Sequence, residues 1–337
     1  MRETMEKAIY FGKRNQWKIV LVLLGTVLVL PLVVTSEATC GIFVRVLLYM
    51  LFATGLNLTN GYSGQFNIGS AGFMCVGAYA AGILATRMEV HFIVAAIFAG
   101  LVAAIFGLLL SLPTSRLSGM YLSLVTMGFS EIIRIVALNW TSLTGGAFGV
   151  KNIPNPTFFG MKISSTRQYY YLILAMLCIV LFMAYRIIHS RIGRAWISIR
   201  ENPDAASSLG INITRYKVLN FMVSAFVAGL GGAFMAYYYR YISSDMFTIT
   251  AGHEVLAMVV LGGMGTLAGP LLGTVVINVL TESLRFAEEY RMIGYALLII
   301  IMMWIRPQGL IGANNSSLAN APKERKKRRR KLEGKAV

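Results

Sequence analysis

Long apolar runs alternate with short polar stretches along most of this chain. The runs predict helices near residues 19–34, 42–59, 66–85, 92–112, 117–138, 169–188, 218–238 and 292–305. Each run approaches the roughly 20 residues that a helix needs to cross the hydrocarbon core of a bilayer. The pattern therefore predicts one all-α membrane domain, a bundle whose helices are solvated largely by lipid.

Residues 254–284 break this pattern with the glycine-rich segment GGMGTLAGP at 262–270. The apolar stretch from Glu254 to Met264 would be a helix of roughly 16 Å, much shorter than a hydrocarbon core of about 30 Å. We interpret the region as two short helices that form a broken or re-entrant pair. Counting the pair as two gives about ten transmembrane or broken segments, with both chain ends on one side.

Composition and charge agree with a membrane protein. Hydrophobic residues make up 56% of the 337 residues and charged residues only 13%, whereas soluble domains have about 25% charged residues. Because Lys and Arg near membrane ends stay cytoplasmic, their distribution places residues 1–18, the loop 189–217 and the basic tail 313–337 inside the cell. The transmembrane domain is then 19–312, with an external loop at 139–168.

A formal net charge of +17 could indicate nucleic-acid binding, but much of the excess positive charge lies in the tail. Residues 323–337 hold nine Lys or Arg residues and no aromatic residues among them, so we expect a disordered tail that touches anionic lipid. Nucleic-acid binding is not expected. The apolar start of the chain resembles a secretory signal, but it lacks a good cleavage site and is expected to remain as a first helix.

Metal and cofactor chemistry finds no support in the sequence. The three cysteines and three histidines are widely scattered, without the spacing of metal ligands. No G-x-x-x-x-G-K-[ST] loop and no nucleophile with a matching base are present. We therefore expect no metal, no cofactor and no catalytic residue, and any energy from ATP would have to come from a partner.

A first glycine-rich break, GYSGQFNIGSAGF at 61–73, carries many polar residues that are costly in hydrocarbon unless they find partners or water. It weakly resembles the second break, since both are apolar stretches interrupted by glycines, as expected for transporters built from two similar halves. Both breaks are candidates for a solute path, and the alternative is close helix packing through small residues. The candidate path residues are Asn57, Asn60, Gly61, Ser63, Gly64, Gln65, Asn67, Ser70, Gly262, Gly263 and Gly265.

Two further features allow several interpretations. Glu131 and Arg134 lie three residues apart on one helix face, so they either neutralise each other or contribute a polar gate to the path. The outer segment TGGAFGV at 144–150 is a turn, an element of the substrate entrance or a contact for an external partner.

The inner loop contains the complete signals of a very short helix. Asn202 is a suitable N-cap, Pro203 a first-turn residue, and Asp204 faces the positive end of the helix dipole, while Gly210 provides a left-handed stop. A helix over 203–209, about 10 Å long, is marginal unless it docks on something. It is either a linker packed on its own protein or a coupling helix that fits a motor subunit.

Several motifs closely resemble those of the M-type permease of branched-chain amino acid importers, the LivM type, from about residue 45 to 312. They are GLNLTNGYSGQFNIGSAGF, RLSGMYLSLVTMGFSEIIRI, GRAWISIRE, VVLGGMGTLAGP and WIRPQGL, together with D-A-A-x-x-x-G at 204–210, which resembles the E-A-A…G coupling motif. Asp204 stands where the motif usually has Glu, and Ser70 where many relatives carry a bulkier residue.

This resemblance implies an ATP-binding cassette importer in the inner (cytoplasmic) membrane that carries Leu, Ile or Val. The implied partners are a second homologous permease, two cytoplasmic ATPase subunits, an external solute-binding protein and the lipid bilayer. It implies that the coupling surface is formed by Arg194, Arg200, Glu201, Asp204, Ala205, Ala206 and Gly210. Related permeases carry amides or urea, which remain alternative substrates.

Two other classes of membrane protein are alternatives to a permease subunit. A secondary transporter would usually place a titratable or ion-binding cluster at mid-membrane, and only Glu131 with Arg134 approaches that. A membrane-embedded enzyme would need a convergent set of acid, base or metal ligands. An ATP-driven permease subunit is the function that the sequence favours.

Overall fold

The computed structural model describes residues 36–158, 161–283 and 309–311, with the isolated positions 31, 294, 296, 297, 300 and 304. Eleven α-helices lie in these ranges, and two residue pairs form a small antiparallel hairpin, β1 and β2. The helices are α1 Glu37–Asn57, α2 Ser70–Arg87, α3 Phe92–Thr114, α4 Gly119–Asn139, α5 Thr141–Thr144, α6 Thr166–Ile188, α7 Arg191–Glu201, α8 Pro203–Ser208, α9 Ile213–Tyr239, α10 Ile249–Gly262 and α11 Ala268–Ser283. The strands are β1 Thr157–Phe158 and β2 Met161–Lys162.

Five helices within the described ranges are long and apolar enough to cross a membrane, namely α1 with its C-terminal extension, α3, α4, α6 and α9. They confirm the all-α membrane fold, and they start and end within a few residues of the predicted apolar runs. The expected helices at 19–34 and 292–305, the N-terminal segment 1–18 and the tail 313–337 lie outside the described residues, apart from isolated positions.

Helix α9 is the centre of the bundle and packs against α1, α2 and α3. Its glycines allow this close approach: a Cβ on Gly229 would overlap Ala103 of α3, and a Cβ on Gly232 would overlap the backbone of Met74 in α2. Without water to drive association, membrane helices gain stability from such tight contacts between small residues. The small residues of α9 therefore determine where its neighbours lie.

Helices α10 and α11 form the predicted short pair, joined by residues 263–267. Helix α10 begins five residues earlier than the apolar run suggested, because Thr248 acts as its N-cap and accepts a hydrogen bond from Ala251 N at 3.4 Å. At 14 residues it is still only about 21 Å long. The chain turns back at the glycines, where a Cβ on Gly262 would overlap Gly269.

The two ends of the bundle differ. One end carries residues 58–69, 189–212 and 263–267, and we call it the α8 end. The opposite end carries the segment 140–165, in which Gly145, Gly146 and Gly149 have positive φ values of 78, 59 and 64°. Val150 pairs there with Ile242, so TGGAFGV is a tight turn held against the chain that follows α9. Its expected roles as a substrate entrance or partner contact stay predictions.

Candidate functional site

The first break begins where α1 ends. The helix widens into a π-helical turn, Leu58–Tyr62, and the chain then runs irregularly to α2 at Ser70. The polar path candidates of this segment are all buried, at 5% exposure or less: Asn57, Asn60, Ser63, Gln65, Asn67 and Ser70. Buried polar groups in a membrane protein need partners, so their hydrogen bonds indicate what they do.

Most of these amides hold the break together. Asn60 donates to Asn67 O at 3.0 Å and accepts from Asn67 N at 3.0 Å, which closes the irregular segment on itself. Gln65 donates to Ser63 Oγ at 2.7 Å. Asn220 of α9 donates to Leu58 O at 2.9 Å and anchors the π-helical turn. These contacts favour the packing interpretation for this part of the segment.

Some polar atoms of the same region have no hydrogen-bond partner among the residues that the structure describes. They are Thr59 Oγ1, Asn67 Nδ2 and Ser70 Oγ in the first break, with Ser130 Oγ on α4, beside Gly72. A buried group without a partner costs about 1–3 kcal/mol, so these atoms are the ones that water or a solute would stabilise. For Asn67 and Ser70 a contribution to the solute path stays a prediction.

Asn57 joins the two breaks directly. Its amide donates to Thr266 O at 2.8 Å, and its Oδ1 accepts from Gly265 N at 2.9 Å. The two positions are about two hundred residues apart in sequence. The structure therefore brings the two glycine-rich segments together at the α8 end.

Glycines make this contact possible. A Cβ on Gly61 would overlap both the Asn57 side chain and Gly265 N. Gly265 has a φ of 79° and Gly64 a φ of 68°, values that residues with a Cβ rarely adopt. Of the second-break candidates, Gly262 and Gly263 lie at the end of α10 and contact Gly269 and Gly309 instead.

A third segment reaches this junction from α7. The guanidinium of Arg200 donates to Gly61 O at 2.6 Å and to Glu201 Oε1 at 2.8 Å. A Cβ on Gly265 would lie 2.8 Å from Arg200 Nη1, and one on Gly64 would lie 2.7 Å from Arg200 Cγ. The Arg200 side chain therefore lies against glycines of both breaks. Its Nη1 points into the bundle, whereas its Nη2 bonds the exposed Glu201.

The chain returns to the second break near its C-terminal end. Leu310 N donates to Leu261 O and Ile311 N to Gly262 O, each at 2.9 Å, which satisfies carbonyls at the end of α10. Sequence reasoning did not predict this cap. The motif WIRPQGL that contains Leu310 gave only a family resemblance.

The α8 end also carries the predicted short helix. Asn202 is its N-cap and accepts from Asp204 N and Ala205 N at 3.0 and 3.1 Å, and Gly210 has a φ of 80°. The helix ends at Ser208, one residue earlier than predicted. Ala206 is buried, whereas Asp204 and Ala205 are exposed. The capping signals in the sequence therefore describe this helix correctly.

The preceding helix, α7, was not predicted. One of its faces is buried around Trp196, which is 0% exposed and donates to Tyr216 O of α9 at 2.9 Å. Arg194 lies on the opposite face and is exposed. A search for long apolar runs misses such a short amphipathic helix, although its alternation of Arg with Ile, Ala and Trp was a usable signal. Leu209, which is 80% exposed beside α8, was also missed as a contact candidate.

Glu131 and Arg134 form the expected ion pair on α4, with Arg134 Nη2 2.5 Å from Glu131 Oε1. Both are partly buried, and Arg134 Nη1 lies 3.9 Å from Asp245 near the opposite end of the bundle. The third charged group near the Glu131–Arg134 pair is therefore Asp245. The mutual neutralisation of the pair fits the structural interpretation, and a gating role stays a prediction.

Two grooves on the bundle are lined almost wholly by apolar side chains. One, of 560 Å³, lies between α3, α6 and α9, and the other, of 490 Å³, lies between α1 and α11. The first groove has only apolar residues in its described lining, whereas the second also includes Asn278, Glu282 and Ser283. Among the residues that the structure describes, no group of three His, Cys, Asp or Glu side chains is arranged to hold a metal ion.

Comparison with known proteins agrees with the motifs. A family model described as branched-chain amino acid transport system / permease component matches residues 38–305. The chain is 37% identical over 299 residues to the high-affinity branched-chain amino acid transport system permease protein LivM of Salmonella typhimurium, covering 82% of this chain and 70% of that protein. It is 35% identical to LivM of Escherichia coli K12, covering 89% and 76%.

A second type of permease is also similar. The LivH protein of Salmonella typhimurium, named as a permease protein of the same high-affinity system, is 25% identical over 78% of this chain and 91% of its own length. No solved structure matches. The expected resemblance to LivM is confirmed, and the chain belongs to the family of permease components of branched-chain amino acid transport systems.

Proposed function

We propose that this chain is one of two membrane subunits of an ATP-binding cassette importer that carries leucine, isoleucine and valine into the cytoplasm. The other membrane subunit is a homologous permease, and two separate ATPase subunits drive the cycle. An external solute-binding protein delivers the amino acid. The chain lies in the inner membrane with both termini in the cytoplasm, and it binds no nucleotide and performs no catalysis itself.

The observation that carries the proposal is helix α8 on a chain that belongs to a permease family. The helix is fully capped, and Asp204 and Ala205 are exposed, as is the neighbouring Leu209. A helix this short gains its stability by docking. The chain has no phosphate-binding loop of its own, so an exposed docking element is the means by which a separate ATPase would act on it.

The substrate assignment rests on the names of the LivM and LivH relatives and on the chemistry of the bundle. The carboxylate of an amino acid suits helix N-termini and polar atoms such as Ser70 Oγ at the start of α2, which has no partner in the described part of the chain. Its apolar side chain suits the aliphatic surroundings. The similarity to both LivM and LivH also supports a pair of homologous membrane subunits.

A reconstitution experiment tests the substrate assignment. This chain, the second permease and the ATPases are incorporated into proteoliposomes, and the binding protein encoded with them is added outside. Uptake of labelled leucine is measured with a hundredfold excess of unlabelled leucine, isoleucine, valine, urea or acetamide. We expect only the three branched-chain amino acids to compete. Competition by urea or acetamide alone would replace the proposed substrate with an amide.

A further inference from the structure

Arg200 of α7 contacts both glycine-rich breaks, at the junction where Asn57 also joins them. Its guanidinium donates to the carbonyl of Gly61 in the first break and lies against Gly265 in the second, and its aliphatic stem packs on Gly64. The same guanidinium bonds Glu201, the last residue of α7. With 21% of its side chain exposed, Arg200 is mostly enclosed.

Helix α7 is itself firmly attached to α8. Asn202, which ends α7, is also the N-cap of α8, so no flexible linker separates the two helices. The side chain of Trp196, buried against α9, holds α7 on the bundle. A displacement of α8 therefore moves the backbone of Arg200, which lies only three residues before the start of α8.

We propose that Arg200 is a positioning residue that ties the α8 segment to both glycine-rich breaks, so that they move together with α8 when the ATPases act on it. This inference rests on the proposed function, because it assigns the route by which docking at α8 reaches the membrane core. It differs from an ATPase contact, since Nη1 of the guanidinium points into the bundle.

The local chemistry suits this role. The hydrogen bond to Gly61 O is charge-assisted and short, which makes it stronger than a neutral one. The fixed planar fork of an arginine holds two partners in a set direction, whereas lysine offers a single compact charge. Gly265 leaves space for the guanidinium, since a Cβ there would lie 2.8 Å from Nη1, and Gly64 leaves space for the stem, since a Cβ there would lie 2.7 Å from Cγ.

The test compares three variants in the reconstituted complex. Arg200→Gln removes the charge and the fork, Arg200→Lys keeps the charge, and Arg191→Gln is a matched control that removes an exposed arginine from the same helix. Assembled complex, ATP turnover with and without loaded binding protein, and leucine uptake are measured on the same preparations.

We expect Arg200→Gln to assemble with the ATPases and to hydrolyse ATP without stimulation by the loaded binding protein. Uptake per ATP hydrolysed should fall by about tenfold, within the usual range of coupling between two sites. Arg200→Lys should recover part of that loss, and Arg191→Gln should behave as the unmodified chain. Equal uptake per ATP in Arg200→Gln and in the unmodified chain would overturn the proposal.

A distance measurement keeps the proposal testable should Arg200→Gln fail to assemble. Spin labels are placed at Arg191→Cys on α7 and Ala268→Cys on α11, both exposed positions, after the native cysteines are replaced by alanine. With Arg200 present, the two labels should keep their distance between the resting and ATP-bound complexes. A change of about 5 Å, one helical turn, would show that α7 moves independently of the second break and would overturn the proposal.

The two proposals fail in different ways. If the unmodified complex takes up no branched-chain amino acid, the proposed substrate is wrong, and the label distance still decides whether Arg200 ties α7 to the breaks. If uptake is normal and the labels separate during the cycle, the importer function stands and the role of Arg200 is rejected.

Discussion

The Asn57 side chain bonds the backbone of both Gly265 and Thr266, accepting from Gly265 N at 2.9 Å and donating to Thr266 O at 2.8 Å. One side chain at the end of α1 thereby fixes the turn between α10 and α11. An amide can satisfy a donor and an acceptor at once, which suits a place where two irregular backbones meet away from water.

We expect Asn57→Ala to destabilise the isolated chain. It would leave Gly265 N and Thr266 O, which belong to partly buried residues, without their partner, at about 0.5–1.5 kcal/mol for each lost hydrogen bond. The thermal unfolding midpoint in detergent should fall by several degrees. Asn139→Ala is the control, because Asn139 is exposed and its amide bonds the Ile135 carbonyl of its own helix. An unchanged midpoint with a raised KM for uptake would instead assign Asn57 to the solute path.

Gly61→Ala should be harmful, since its Cβ would overlap the Asn57 side chain and the backbone of Gly265. We expect a loss of about 1–3 kcal/mol in the free energy of unfolding, as in other overpacked sites. Gly128→Ala on α4 is the matched substitution, because nothing lies within 4 Å of the added Cβ. That change should be neutral or slightly stabilising, by up to about 1 kcal/mol. Similar denaturation curves for both variants would contradict the close contact at Gly61.

The two neighbouring alanines of α8 should respond differently to a large charge. Ala205→Arg alters an exposed position, so the chain should fold and pair with its permease partner but bind the ATPases poorly. Ala206→Arg buries the charge inside the protein and should lower the yield of folded chain, because Ala206 is 2% exposed. Co-purification of the ATPases with equal amounts of each permease distinguishes the effects. Normal ATPase binding and uptake by Ala205→Arg would reject docking at this face.

Gly210→Val tests the same helix through its backbone. A β-branched residue at a φ of 80° costs about 1–3 kcal/mol, although no neighbour crowds the new side chain. We expect an inserted permease whose ATP turnover is uncoupled from uptake. A self-packed linker would give less folded protein, with normal uptake per assembled complex in the fraction that survives.

The proposed orientation places Lys162 outside the cell and Ser316 in the cytoplasm. In a chain without native cysteines, Lys162→Cys should react with an impermeant thiol reagent in intact cells, because Lys162 is exposed in the hairpin of the outer loop. Ser316→Cys should react only after the cells are opened, since the charged tail resists translocation. Equal labelling of both in intact cells would contradict ten segments with cytoplasmic termini.

Local signals in the sequence predicted local structure well. The apolar runs predicted the long helices of the described part, and the glycines predicted both breaks. Asn202 and Gly210 predicted α8 with its caps. Helix α7 was missed because it is short and half polar, so its stability comes from burying Trp196 and not from a long apolar run.

Long-range pairing was beyond the sequence. Nothing in the neighbourhood of Asn57 indicates that its partner is Thr266, and nothing around Arg200 indicates that it points inward to Gly61. Arg200 was expected on the coupling surface because its motif lies beside α8, but the direction of a side chain depends on tertiary packing. The polar residues of the first break also differ from one another. Asn60 and Asn57 satisfy backbone groups, whereas Ser70 Oγ finds no partner within the described ranges.

ATP-driven uptake is the most direct test of the central claim that this chain is a permease subunit moved by separate ATPases. Leucine uptake is measured in cells that express the whole importer, with vanadate, with a protonophore that leaves ATP levels intact, and without this chain. We predict that vanadate and omission of the chain each abolish uptake and that the protonophore has little effect. Uptake that persists with vanadate and collapses with the protonophore would contradict the account and indicate an ion-coupled transporter.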